Sequence, residues 1–325
     1  MTVVSTRVYR NGVLEHSDVP VEAISDYLEQ PDTVVWADFR NPSAHDLAEI
    51  AAELGLHELA VEDATSAGQR PKFDVYDSHV FVSCIAVAAD LEHGTLITTE
   101  INAFVNSRWI VTVRQGDSFS MEAVTHRWDR LGMMTKHGAS VLLYGLLDVV
   151  VDSYFAVVDA FDQYYDEISE GLFSDEPLDP VKQKHWFRMR RALVRFHRLV
   201  VPTREAISGL MRRDHAVVTD AVYPYYQDVY DHILRISESS ESLRDLVGTI
   251  VETNISLRDF RQNQIVKKVT GWAAILAAPT LVTGFYGMNV PFPGSGETWG
   301  AIVAVTSVPL LSLILYLTFK RRGWL

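Results

Sequence analysis

The chain is short of cysteine: Cys84 is the only one in 325 residues, so no intrachain disulfide can form. That scarcity fits a reducing compartment. The N-terminus lacks an apolar run followed by a small-residue cleavage site, so no signal peptide is expected. Phosphate loops, nucleophile elbows and metalloprotease helices are missing too, which makes an enzyme the least favoured class. Charge is absent from two long stretches. Val269 to Gly296 holds no Asp, Glu, Lys or Arg; Glu297 interrupts; Thr298 to Phe319 is again uncharged.

The charge that is present is uneven. The formal net charge is −13. Past residue 262 the charged residues are Lys267, Lys268, Glu297, Lys320, Arg321 and Arg322, summing to +4 and leaving −17 for the part before them. An acidic body of this kind argues against nucleic acid, whose phosphates need a basic footprint. It suits divalent cations as partners, or it serves solubility alone. The mean hydropathy of +0.04 conceals this division.

The first third reads as mixed α/β. Thr33–Phe39 is a short β-branched apolar run; Pro42 and Ser43 open a helix with Leu47, Ile50, Ala51 and Leu54 on one side, and Gly55 stops it. His79–Ala89, Thr95–Phe104 and Trp109–Arg114 read as strands, with turns at Gly94 and Asn106–Ser107. Beyond Asp117 helical patterns take over. Gly138–Gly171 is rich in Leu, Val and Tyr. From Gly138 to Pro180 there is no Lys or Arg, while acids recur. Pro177 and Pro180 break that run. The next segment is basic, from Lys182 to Arg198. Together they predict an antiparallel pair with complementary charges, or an acidic surface that concentrates cations.

Between Pro224 and Pro279 there is no proline. Val229, Ile233, Ile236, Ser240, Leu243, Val247, Ile250, Asn254 and Leu257 recur there at steps of four and three, a heptad-like seam of about four heptads. One helix from Tyr225 to Tyr286 is expected, ~90 Å long at ~1.5 Å per residue. It is either a coiled-coil stalk or a stalk that lines or surrounds a pore.

Val269–Tyr286 and Trp299–Phe319 are apolar on every face and long enough to cross a hydrocarbon core of about 30 Å. Lys267–Lys268 precede the first span and Lys320–Arg322 follow the second, with no Lys or Arg between. The positive-inside rule therefore places both termini in the cytoplasm, in an inner (plasma) membrane, with Tyr286 and Trp299 as outer anchors. The first span also carries a small or polar stripe: Asn263, Val266, Thr270, Ala273, Ala277, Thr280 and Gly284. Such a stripe marks close helix packing or a lined cavity. Two spans cannot enclose a conduit, so several copies must close a ring.

The first span ends in Tyr286-Gly287-Met288-Asn289. Here the chain resembles the CorA family of magnesium transporters, whose signature is Gly-Met-Asn at the outer end of the first of two membrane helices. His57–Asp63 followed by Gln69–Lys72 resembles that family's N-terminal domain. Tyr225–His232 and Asn263–Gln264 resemble its stalk. The resemblance implies a homopentamer with a cytoplasmic α+β domain, a long stalk helix and two C-terminal transmembrane helices in a funnel. It also implies Mg2+ as both the transported ion and a regulatory one. By resemblance, Gly287, Met288 and Asn289 form the outer selectivity entrance. Asp228 matches a stalk carboxylate of the regulatory metal site, with Glu62 and Asp63 its partners on the neighbouring domain and Asp148 a looser candidate. Glu297 is the candidate outer-loop acid. The chain departs from the family at the pore positions Val266, Val269 and Ala277, smaller than the usual gate residues, and in the loop Val290–Gly300, which lacks Met-Pro-Glu.

The expected organisation is an α/β domain over 1–117, a helical region over 118–222, stalk and first span over 223–289, an outer loop over 290–298, a second span over 299–319 and a basic tail over 320–325. The expected function is a passive magnesium channel gated from the cytoplasm, with cobalt or nickel as further cargo. The alternatives are a zinc-type divalent transporter and a membrane-anchored sensor that does not conduct. His232 shares a helix face with Asp228, but one carboxylate and one imidazole are too few for a transition-metal site.

Overall fold

The computed structural model describes residues 3–171, 180–212, 215, 217–291 and 293–325; Pro177 and the linker residue Phe292 lie outside them. The chain forms two compact units, Met1–Val247 and Gly248–Leu325.

The first unit is built on a seven-stranded sheet. Its strands are β1 (Val3–Arg10), β2 (Val13–Ser17), β3 (Thr33–Arg40), β4 (Lys72–Val75), β5 (Val80–Asp90), β6 (Thr95–Val105) and β7 (Trp109–Gln115), in the order β2-β1-β3-β7-β6-β5-β4. Only β3 and β7 pair in parallel. Asn11 and Gly12, both at positive φ, turn β1 into β2, a hairpin the sequence reading passed over. On one face α1 (Ile24–Glu29), α2 (Ala44–Leu54) and α3 (Glu58–Thr65) cover Val35, Ala37, Phe39, Phe104 and Val111. Ser43 caps α2 in a reciprocal capping box with Asp46, and Gly55 ends it in the left-handed region at φ 66°.

The other face meets α4 (Glu122–Leu131), α5 (Ala139–Gly171) and α6 (Pro180–Leu210). Trp36 on β3 packs edge-on against Trp128 of α4 at 4.8 Å, and Tyr154 of α5 donates to the Ile85 carbonyl at 2.7 Å. With both faces covered, β3 is buried along nearly its whole length rather than alternating. α5 is apolar and long enough to span a bilayer, but 67% of its apolar window is buried within the protein, which makes it a core helix.

α5 and α6 are antiparallel. Tyr154 and Phe161 meet Phe196, while Tyr164, further along α5, meets His185, earlier in α6. Their expected charge complementarity is not realised: among the described residues no ion pair joins an α5 acid to an α6 base. Aromatic packing holds the pair; apart from buried Asp148, which pairs with Arg127 of α4, the described α5 acids and the Lys and Arg side chains from Lys182 to Arg198 are exposed, where ion pairs are weak.

A single helix, α7 (Tyr223–Tyr286), runs 64 residues, and α8 (Thr298–Arg321) follows. The α7 seam is buried from Val229 to Ile250 and half-buried at Asn254 and Leu257. In the first unit its partners are this chain's own helices. Tyr225 and Tyr226 meet Tyr144, and His232 meets Phe155. The polar seam residue Ser240 bonds His197 Nδ1 at 3.0 Å. The seam to that point therefore packs onto α5 and α6 rather than forming a coiled coil of stalks.

One buried ion pair joins the parallel strands. Arg114 Nε lies 3.1 Å from both Asp38 oxygens, and Thr112 donates to Asp38 Oδ1 at 2.6 Å. Trp36 Nε1 donates to Thr112, and Arg114 Nη1 to the Phe119 carbonyl. Removing one partner strands the other's charge, so D38A is expected to lower stability by about 3–5 kcal/mol. Urea unfolding of the purified protein checks this; a loss under about 1 kcal/mol, the range of an exposed pair, contradicts it.

Candidate ion path and metal centre

In the second unit the start of the hairpin is fixed by which face of α7 meets α8. Ile275 is buried, and Ala278, Val282 and Tyr286 are half-buried. Gly271 belongs to the same face: a Cβ there would lie 3.4 Å from the Leu325 side chain and 3.7 Å from Phe319. These residues follow each other at steps of three and four. The candidate pore positions Asn263, Val266, Thr270, Ala273, Ala277, Thr280 and Gly284 are all exposed. Ala273 and Ala277 stand two residues either side of Ile275, a rotation of about 200° on an α-helix. The small and polar stripe is therefore turned away from α8. Packing within the hairpin does not account for it. Thr280 donates to the Leu276 carbonyl at 3.3 Å, which satisfies its proton and leaves an acceptor oxygen on the surface.

At the end of α7 the Gly287 amide bonds the Thr283 carbonyl at 2.9 Å. Gly287 stands in the turn that ends α7 without entering the left-handed region. Close approach is the reason for glycine there, since a Cβ would sit 3.1 Å from the Thr283 carbonyl oxygen. Met288 and Asn289 are exposed. Asn289 has no positive φ and is no left-handed helix cap. Glu297 Oε2 accepts from the Trp299 indole at 2.7 Å, which holds that carboxylate at the start of α8.

In the first unit Asp148 of α5 meets Asp228 and His232 of α7, with one ligand atom from each lying within 4.8 Å of the others. Sequence spacing alone pairs Asp228 with His232; the fold adds a second carboxylate, which overturns the ground for dismissing a transition-metal site. Asp148 is 3% exposed, and burial raises its pKa above the ordinary value, against the lowering pull of Arg127. Arg127 Nη1 lies 2.5 Å from Asp148 Oδ2, and Nη2 lies 2.7 Å from Asp152. Asp228 is largely exposed, and the buried His232 Nδ1 has no hydrogen-bond partner among the described residues. Two carboxylates and an imidazole suit a divalent cation: the oxygens favour magnesium and the nitrogen adds affinity for cobalt, nickel or zinc. Of the other candidates, Asp63 is held by Lys72 at 2.6 Å, and Glu62 beside it on α3 is exposed; neither joins this cluster within the chain.

A family model described as CorA-like Mg2+ transporter protein matches residues 31–321. The chain belongs to that family. Among CorA relatives, the cobalt/magnesium transport protein CorA of Thermotoga maritima is 27% identical over 96% of this chain and 89% of its own length. YfjQ of Bacillus subtilis, a putative metal ion transporter, is 28% identical over 94% of each chain. The complete CorA structure from Methanocaldococcus jannaschii superposes with a TM-score of 0.78 at 19% identity, covering 100% of this chain and 99% of that one. That likeness establishes the fold: an α/β domain, a long helix and C-terminal helices apolar enough to span a membrane, as in CorA proteins generally.

Arg127 carried no sequence signal as a neighbour of this centre, because α4 reaches α5 only through the tertiary fold, whereas Asp152 follows Asp148 by four residues on α5 and shares its face by spacing. Protonation of Asp148 favours the metal-free fold below the raised pKa and is lost as pH rises through it; a bound cation offsets that loss. Saturating Mg2+ or Co2+ should raise the unfolding temperature by about 5 °C or more near neutral pH. The rise should disappear in D228A, and on acidification it should fade earlier than an ordinary aspartate would dictate. Thermal melts across pH check both; an unchanged rise in D228A contradicts the centre.

Proposed function

We propose that this chain carries Mg2+ passively across the inner membrane as a homopentamer, with both termini in the cytoplasm. The observation that carries this reading is the exposed stripe from Asn263 to Gly284, turned away from α8 and ending at Gly287-Met288-Asn289. Several copies arranged with that stripe inward make a conduit that one hairpin cannot make. The membership of the CorA-like family supports magnesium as cargo.

The chemistry suits a hydrated ion. Magnesium sheds water reluctantly, so an entrance does best to hold its water shell. A ring of Asn289 amide oxygens accepts hydrogen bonds from that water without the grip of a carboxylate ring. Met288 packs and shapes the entrance, since thioether sulfur is a poor ligand for a hard cation. The spans hold no charged residue, and a divalent cation moving down ~100 mV gains about 4.6 kcal/mol, enough for uptake without a coupled energy source.

The centre at Asp148, Asp228 and His232 is the regulatory candidate. Glu62 and Asp63 of the neighbouring copy are its proposed partners. Facing carboxylates repel when empty and are bridged when occupied, so cytoplasmic Mg2+ favours the closed ring. The imidazole of His232 also favours a second reading, in which cobalt, nickel or zinc acts at this centre or passes the pore. Mg2+ flux into proteoliposomes tests the conducting role. N289A should lower flux roughly tenfold, the factor for about 1.4 kcal/mol lost at the entrance. Equal flux in wild type and N289A removes the entrance assignment, and no flux from assembled wild type favours a sensor that does not conduct.

A further inference from the structure

The cytoplasmic end of the hairpin carries a cluster of cations. Lys267 and Lys268 lie on α7, and Lys320, Arg321 and Arg322 close α8. The sequence separates these two groups by more than fifty residues, but the fold brings them to one level. Gly271, one helical turn past Lys267, packs against Phe319 and Leu325, the residues flanking the second group. All five cations are exposed. Among the described residues none is ion-paired. The acids of this unit are Glu252, Asp259 and Glu297. Asp259 precedes Lys267 by two helical turns, and Glu297 lies at the opposite end of α8.

The cluster is also held in place. Gly323, at φ 69°, ends α8 with its amide bonded to the Lys320 carbonyl at 3.2 Å. The Trp324 amide bonds the Phe319 carbonyl at 2.9 Å, and the two rings stack 5.4 Å apart at 7°. This is a Schellman termination with its accompanying apolar contact, so the last three cations sit on an ordered helix end rather than a frayed tail. Trp272 approaches Tyr316, and Lys320 lies over the Tyr316 ring at 5.7 Å. A belt of Trp272, Tyr316, Phe319 and Trp324 thus adjoins the cations on their apolar side, the arrangement found at a membrane–water boundary.

We propose that this end of the hairpin binds the phosphate headgroup of an acidic phospholipid, with the aromatic belt seating the glycerol and first acyl carbons. The proposal rests on the reading that α7 and α8 span the bilayer. Charge complementarity selects the ligand: five uncompensated cations beside lipid-facing apolar helices match an anionic headgroup and leave a zwitterionic one with an unneutralised choline. A soluble anion has no use for the aromatic belt.

The test is native mass spectrometry of the full-length protein in detergent, titrated separately with phosphatidylglycerol and phosphatidylcholine of the same acyl chains. Phosphatidylglycerol should bind at least about tenfold more tightly. The preference should vanish in K267Q/K268Q/R321Q/R322Q and persist in K182Q/K184Q, which removes the same kind of charge from α6. Equal binding of the two lipids to wild type, or a preference that survives the fourfold variant, overturns the proposal. Displacement of phosphatidylglycerol by inorganic phosphate at equal concentration overturns it too, because the site would then read free phosphate. Carbonate extraction of the same proteins separates the two claims. Protein released from membranes contradicts the spanning reading itself, whereas retained protein without a lipid preference contradicts only the headgroup site.

Discussion

A helix in hydrocarbon has no water to satisfy its polar groups, and every face must meet lipid, another helix or a wet cavity. That constraint organises the second unit. The face at Gly271, Ile275, Ala278 and Val282 meets α8. Large apolar residues such as Trp272, Leu276, Leu281 and Phe285 suit lipid. The face from Asn263 to Gly284 suits neither well, being small, hydroxylated and turned from α8. The proposed pore, its assembly from several copies and the entrance at Asn289 all depend on that unassigned face.

The first unit solves a different problem with similar residues. α5 is as apolar as a membrane span, yet it is buried between the sheet and α7. Its acids tell the two cases apart. Asp148 is buried beside Arg127, and Asp152 is pinned by the same guanidinium, an arrangement that needs a second helix within reach. In α7 and α8 the corresponding apolar windows carry no acid at all. The same buried carboxylate that marks α5 as a core helix also brings a third donor to Asp228 and His232.

Much of the fold was legible. The strands β3, β5, β6 and β7 follow β-branched runs, Ser43 and Gly55 bound α2, and the absence of proline foretold the length of α7. The β1–β2 hairpin was missed although Asn11–Gly12 is a strong turn signal, because the flanking residues are short and mixed in polarity. β4 is a four-residue, charged edge strand with no pattern to find. The stalk seam was visible as a period but not its partner: periodicity says that a face is buried, and only the tertiary fold says that α5 and α6 bury it. The candidate centre divides in the same way. Asp228 and His232 share a face by spacing alone. Asp148, eighty residues earlier, was reachable only by family resemblance, and Arg127 by neither route.

The central claim is that one face of α7 lines a wet path. Cys84 is buried and its thiol is pushed up to about 12 by that burial, so the native cysteine is a quiet background for single-cysteine scanning. Cysteines placed one at a time from 263 to 284 in reconstituted protein should react with a charged, water-soluble thiol reagent at Ala273, Ala277 and Thr280 and stay protected at Trp272, Ile275 and Val282. Labelling that shows no three-to-four-residue period, or that follows Trp272, Ile275 and Val282 instead, would contradict the account.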